Sequence, residues 1–265
     1  MSMRKQASHR GLSYAFIVIA GLAAVGLSAC TQEEVAPPAP IHKGSLDQTG
    51  PYDAAEGWFK PGVDGWDQPV IAVTVDNANR IFIGSANQNA TQADSLMLSA
   101  GGMVLDERST TSSKPASEKT DLHHIMVLNG NGEVVEDWSQ WDDLIILPHN
   151  IEINPYDPDR HLWVVDRDGH QILKFTNDGK ELVMTLGEKG VTGTDENHFN
   201  RPAALAFLPD GTFYVADGYV NSRVAKFDAD GKFLFEWGTK GSEPGQFDLV
   251  HSVFVDDQKR VYTSD

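Results

Sequence analysis

NRPAALAFLPDGTFYVADGYVNSRVAKFDADGKFLFEWG, residues 200–238, holds four short apolar runs separated by polar turns. The runs ALAF, FYVA, RVAKF and FLFEW have the length and composition of strands. The breaks between them carry Asp, Asn and Gly, residues that tolerate positive φ or cap local backbone groups. The plan recurs on both sides. Upstream stands LPHNIEINPYDPDRHLWVVDRDGHQILKFTNDGKELVMTLG (147–187), and downstream LVHSVFVDDQKRVYTSD (249–265) begins it again. In each copy the second strand ends in Asp, at Asp166, Asp217 and Asp265, spaced 51 and 48 residues apart. A third strand of the form h-x-K-F and an Asp-Gly-Lys turn follow in the two complete copies. An earlier, divergent copy runs PVIAVTVDNANRIFIG (69–84) and HHIMVLNGNGEVVEDW (123–138). Four-stranded units of this length cannot bury both faces alone, so they specify propeller blades stacked around an axis. The other all-β reading, a sandwich with accidental similarity, does not account for h-x-K-F followed twice by D-G-K. The fold class is therefore an all-β propeller with about three and a half blades present. That count predicts a six-bladed parent of which this chain is a piece, prone to aggregate through an open edge.

The chain begins with Arg4, Lys5 and Arg10, then the apolar run YAFIVIAGLAAVG (14–26), then LSAC (27–30). Thirteen apolar residues are too few to cross a bilayer core, which needs about 20. Residues 1–29 read as a secretory signal, and Leu-Ser-Ala-Cys resembles a bacterial lipobox, which makes Cys30 the lipidation site. Cys30 is the only cysteine, so no internal disulfide is available. Thr31 rather than Asp after it suggests the periplasmic face of the outer membrane. Residues 30–67, with APPAP at 36–40, have the composition of a tether, and 68–265 form the propeller. The net charge of −17 repels phosphate backbones and excludes nucleic acid as a natural partner.

Writing the copies over one another places His149 and His251 at one position, at the start of the first strand, with Ala203 between them. That position faces the channel of a propeller. In a six-bladed ring alternate blades are related by about 120°, so a histidine in every second blade gives three imidazoles converging on the axis. Three imidazoles and an open position form a catalytic zinc set; two polar channel-lining residues are the plainer alternative. His123 and His124 read as surface or strand packing.

HFNRPAALAFLPDGTFYVADGYVNSRVAKFDADGKFLFEWGTKGSEPGQFDLVHSV (198–253) strongly resembles NHL-repeat propellers related to peptidyl-α-hydroxyglycine α-amidating lyase, and LPHNIEI (147–153) fits one blade earlier. The resemblance covers roughly residues 69–265. It implies a six-bladed propeller with a zinc on three histidines, a calcium in the channel, and a tyrosine acting with arginines. The reaction implied splits a hydroxyglycine-extended peptide into an amide and glyoxylate. By position, His149 and His251 match two zinc ligands, Tyr219 in DGYVNSR matches the tyrosine, and Val73 and Ile151 match residues whose backbone carbonyls hold calcium. A phenol beside zinc loses its proton more readily than in water, which suits it to take one from a hydroxyl. One family arginine is missing: RIFIGSANQNA (80–90) puts Gly84 at its place, and Arg108 lies in an insertion. A second would fall just after Asp265. The resemblance implies a small peptide-like or hydroxy-acid-derived substrate, with lipid attachment to the membrane. Two alternatives stay open: a binding propeller with a protein partner, and a calcium-dependent hydrolase of the lactonase type.

Overall fold

In the computed structural model, which describes residues 55–62, 68–86 and 122–265, fourteen strands form four antiparallel sheets. The first contains β1 (Val70–Asn77), β2 (Arg80–Ser85), β3 (Ile125–Leu128) and β4 (Val134–Asp137) in that order. The second contains β5 (Pro148–Ile153), β6 (Leu162–Asp166), β7 (Gln171–Phe175) and β8 (Leu182–Gly187). The third repeats the arrangement with β9 (Ala204–Phe207), β10 (Phe213–Asp217), β11 (Arg223–Phe227) and β12 (Phe233–Trp237). A two-stranded sheet of β13 (Ser252–Val255) and β14 (Val261–Ser264) comes last. The first strands of successive sheets lie against one another: β1 against β5, β5 against β9, β9 against β13. They are the innermost strands, and the molecule is an incomplete β-propeller.

The period-two alternation of each strand serves two cores at once. In β6, Leu162 and Val164 pack with Phe82, Ile125 and Val127 of the first blade. Trp163 and Val165, pointing the other way, pack with Leu205, Phe207 and Phe213 of the third. A blade covered on both faces has no polar side, which is why β6 and β10 are buried at every residue. The outer strand β8, by contrast, alternates between half-buried and exposed along most of its length. Each Trp or Phe sunk into these interfaces contributes about 2–3 kcal/mol.

The recurrent aspartates share one task. Asp166, fully buried, accepts the backbone N–H of Leu147 at 2.7 Å and of Gly169 at 3.2 Å, together with the Gln171 side-chain amide at 2.9 Å. Asp217 accepts the N–H of Asn200 at 3.0 Å. Asp265 accepts those of Asp248 at 2.7 Å and Leu249 at 2.6 Å. In these three copies the end of the second strand thus holds the loop that enters the first.

The chain joins the propeller earlier than Gln68. Trp58 Nε1 donates to the Gly130 carbonyl at 3.1 Å, Lys60 N–H donates to the Gly132 carbonyl at 2.8 Å, and Phe59 packs on Ile83, Met126 and Leu128. The close approach requires glycine at 132, where φ is +75° and a Cβ would lie 1.8 Å from the Trp58 carbonyl oxygen. The signal at 1–29, Cys30, and Arg108 lie outside the described residues.

Candidate active site

Four equivalent residues, Ile71, His149, Ala203 and His251, line one pocket of about 360 Å³, together with Asn150, Arg167 and Tyr219. The volume lies in the range of small-molecule sites. Each is the residue just inside the loop that its blade's aspartate holds or, in the first blade, its counterpart. His149 sits in a β-bulge: Pro148 pairs with Asp166 and Asn150 with Val165, leaving His149 out of the ladder. A bulge re-aims its extra residue, and here it turns the imidazole into the pocket.

Tyr219 arrives from the turn between β10 and β11. Gly218 bridges to Val250, and Ser222 Oγ donates to the Asp248 carbonyl at 3.0 Å, so the turn is fastened to the loop that carries His251. Asp217 Oδ2 braces the same turn from within, accepting from Asn221 Nδ2 at 2.7 Å and Arg223 Nε at 2.9 Å. The phenol oxygen then lies 3.0 Å from His149 Nε2 and 3.0 Å from His251 Nε2. The two imidazole centres are 5.1 Å apart.

Proton positions follow from what each partner can do. His149 Nδ1 lies 2.9 Å from the Ala203 carbonyl oxygen, which only accepts, so Nδ1 carries the hydrogen. In the neutral ring Nε2 is then a lone pair directed at Tyr219. The phenol has one proton to give; it donates to His149 Nε2 and accepts from His251 Nε2–H. A histidine whose Nδ1–H is tied to a carbonyl is also oriented to bind a metal through Nε2. The donor set fits two ligands of a zinc ion. Val73 and Ile151 lie on the adjacent innermost strands β1 and β5. Glu152, next to Ile151, has its carboxyl pushed up to about 7 by burial.

Arg167 was not singled out by the sequence. It follows Asp166 directly, is 3 % exposed, and its guanidinium lies 5.0 Å from the centre of the Tyr219 ring. Asn150 Oδ1 is buried in the pocket wall with no hydrogen-bond partner among the described residues. His123 and His124 lie elsewhere: His123 Nδ1 is 2.6 Å from Asp137 Oδ2, and His124 is buried with Nδ1 3.1 Å from the Ser85 carbonyl oxygen. A cluster of Asp157, Asp159 and His161 lies in the β5–β6 turn, with Lys174 Nζ 3.9 Å from Asp157, and takes no part in this pocket.

The profile described as NHL repeat matches residues 199–227, the segment leading through β9, β10 and β11. Peptidylglycine alpha-amidating monooxygenase of Rattus norvegicus is 31 % identical over 214 residues, covering 78 % of this chain and 20 % of that protein. The probable peptidyl-alpha-hydroxyglycine alpha-amidating lyase of Caenorhabditis elegans is 31 % identical over 170 residues, 62 % of this chain and 47 % of its own length. The chain carries an NHL repeat and is related to the amidating lyases. This NHL-repeat propeller spans about a fifth of the rat relative's length and about half of the nematode one's. Among solved structures, a catalytically inactive virginiamycin B lyase from Staphylococcus aureus with quinupristin aligns with 76 % of the chain and 50 % of its own, at 14 % identity and a TM-score of 0.43.

Proposed function

We propose that the full-length protein is a metal-dependent lyase that splits the N–C bond of an α-hydroxyglycine-type amide, releasing an amide and glyoxylate. One observation carries the reading: a single phenol oxygen shared at 3.0 Å by two imidazole nitrogens on alternate blades. In the reaction the carbinol hydroxyl loses its proton, the O–H electron pair becomes the C=O of glyoxylate, the C–N pair goes to nitrogen, and nitrogen takes up a proton. Tyr219, as its phenolate, is placed to receive the hydroxyl proton, held between His149 and His251. A zinc ion on the His149 and His251 nitrogens would supply positive charge that eases loss of a proton from the phenol and the hydroxyl. Calcium at the Val73 and Ile151 carbonyls would be structural. Attachment through a lipid on Cys30 would hold the enzyme at the periplasmic face of the outer membrane.

Glycine at position 84, where the family resemblance implies an arginine, favours the second reading, a non-catalytic binding propeller. Metal content and turnover separate the two. Full-length protein should keep about one zinc per chain through dialysis, and His149→Ala or His251→Ala should release it, since a lost ligand costs orders of magnitude in affinity. Tyr219→Phe should keep the zinc and lower glyoxylate release from a hydroxyglycine-extended peptide by about 100-fold or more. Protein that neither holds zinc nor can be loaded with it leaves the binding reading in place.

A further inference from the structure

We infer that His170 is a positioning residue for the pocket, a neutral acceptor whose protonation loosens the segment that aims both His149 and Tyr219; its effect on turnover rests on the lyase reading. His170 stands directly ahead of β7 and does not line the pocket. Its Nδ1 accepts the Arg201 N–H at 3.1 Å, so the neutral ring carries its hydrogen on Nε2. Arg201 belongs to the entry of the next blade, and its carbonyl accepts the Tyr219 N–H at 3.4 Å. Two residues on, the Ala203 carbonyl oxygen lies 2.9 Å from His149 Nδ1. The segment 200–203 thus sets two of the three groups that meet at the phenol. The third blade holds it through Asp217 to the Asn200 N–H at 3.0 Å and the Ala216 carbonyl to the Ala203 N–H at 2.7 Å; the second blade grips it through His170.

The third blade carries the same clasp in a form that does not titrate. Ser222 stands directly ahead of β11 as His170 does ahead of β7, and both have left-handed backbone, at φ +52° and +58°. Ser222 Oγ donates to the Asp248 carbonyl, in the loop entering the following blade, at 3.0 Å. The repeat therefore uses this position to hold its neighbour's entry loop, and the second blade fills it with an imidazole. Arg201, which His170 holds, is left-handed too, at φ +60°. Residues other than glycine and asparagine resist that conformation and keep it where their surroundings enforce it. The His170–Arg201 bond is part of that enforcement on both sides.

Protonation of Nδ1 removes the acceptor and sets N–H against N–H. The charges acting on His170 are those of Asp168 and Asp166 at its own turn and of Arg201 opposite. Arg167 of the same turn is directed at Asp168. The loop after β8, tied to the turn by the Gly190 N–H at 3.0 Å from the Gly169 carbonyl oxygen, carries Glu188 and Lys189. Burial, with Arg201 adding to it, lowers the folded pKa from the ordinary 6.5 against the pull of the two aspartates. The clasp is therefore closed at neutral pH and opens as pH falls through the folded value.

Nitrogen NMR spectra of the full-length protein, recorded from about pH 8 to about pH 5, test this. In the wild type the His149 Nδ1–H and the Tyr219 N–H should lose protection from solvent exchange with the midpoint of the His170 ring, while the amides of β7 stay protected. His170→Asn puts an oxygen where Nδ1 stands and does not titrate, so both signals should stay protected throughout. His170→Ala removes the acceptor at every pH and should expose both already at about pH 8. Glyoxylate release should then fall roughly fivefold, the worth of one hydrogen bond, and His170→Asn should recover part of it. The inference is overturned if the two signals stay protected in the wild type while His170 titrates, or if His170→Asn loses them at the wild-type midpoint. Protection that follows His170 in a protein releasing no glyoxylate at any pH would sink the lyase reading and leave the positioning role standing.

Discussion

Asp166 Oδ1 accepts the Leu147 backbone N–H at 2.7 Å, two residues ahead of His149. The contact ties a side chain at the end of one strand to the backbone that aims a pocket residue on its neighbour. Asp166→Ala leaves several buried donors unpaired, and should destabilise the protein by about 3–5 kcal/mol in denaturant unfolding. Asp166→Asn keeps the acceptor oxygen and should cost less. A loss below about 1 kcal/mol for the alanine variant would refute the tie.

Gly218→Ala tests the fastening of Tyr219. A Cβ there would lie 1.9 Å from the Val250 carbonyl oxygen, a backbone atom that cannot turn aside. The turn and the β13 entry must separate, which moves Tyr219 and His251 apart. Expected results are a lower melting temperature and loss of zinc retention; unchanged metal content would contradict the geometry.

His170 gives the pH dependence. Burial lowers its pKa from the model-compound value of 6.5, the Asp168 charge working weakly against that. Its Nδ1 accepts the Arg201 N–H at 3.1 Å, a bond the protonated ring cannot make. A depressed histidine contributes stability that is fully present above the unfolded pKa of about 6.5. That stability is lost as pH falls through the folded value, where the unfolded chain takes the proton first. His170→Asn, tolerated at φ +58°, should flatten the part of the stability profile that falls below about pH 6.5.

Lipidation at Cys30 is checked by mass spectrometry of membrane-extracted protein. A diacylglyceryl-modified cysteine at the mature N-terminus is the expected species. An unmodified Cys30 would rule out the anchor.

The repeat made much of this legible. The spacing of the aspartates and the alignment of His149 with His251 required only that the copies be superposed, and Tyr219 stood out as an aromatic in a turn. Arg167 was hidden because the turn after Asp166 and the turn after Asp217 differ, DRDGH against DGYVNS, so superposition has no counterpart to offer for it. The docking of Trp58 and Phe59 was hidden for another reason. Their partners, Gly130, Met126 and Leu128, lie some 70 residues away, and a Gly- and Pro-bearing segment has the local composition of a linker whether or not it finds such a surface. Strand alternation, likewise, fixes which residues share a face but not that both faces are covered.

His149, Tyr219 and His251 each stand on a different blade, and each blade's own aspartate or turn holds its contribution in place. The chemistry therefore has no home in any single repeat. It exists only in the relation between three, so partial opening between any two blades dissolves the pocket before any sheet has lost a hydrogen bond. Substitution within one copy, conversely, can exchange one chemical group while leaving the other two where they are, so a ring of similar parts can acquire a new activity one blade at a time.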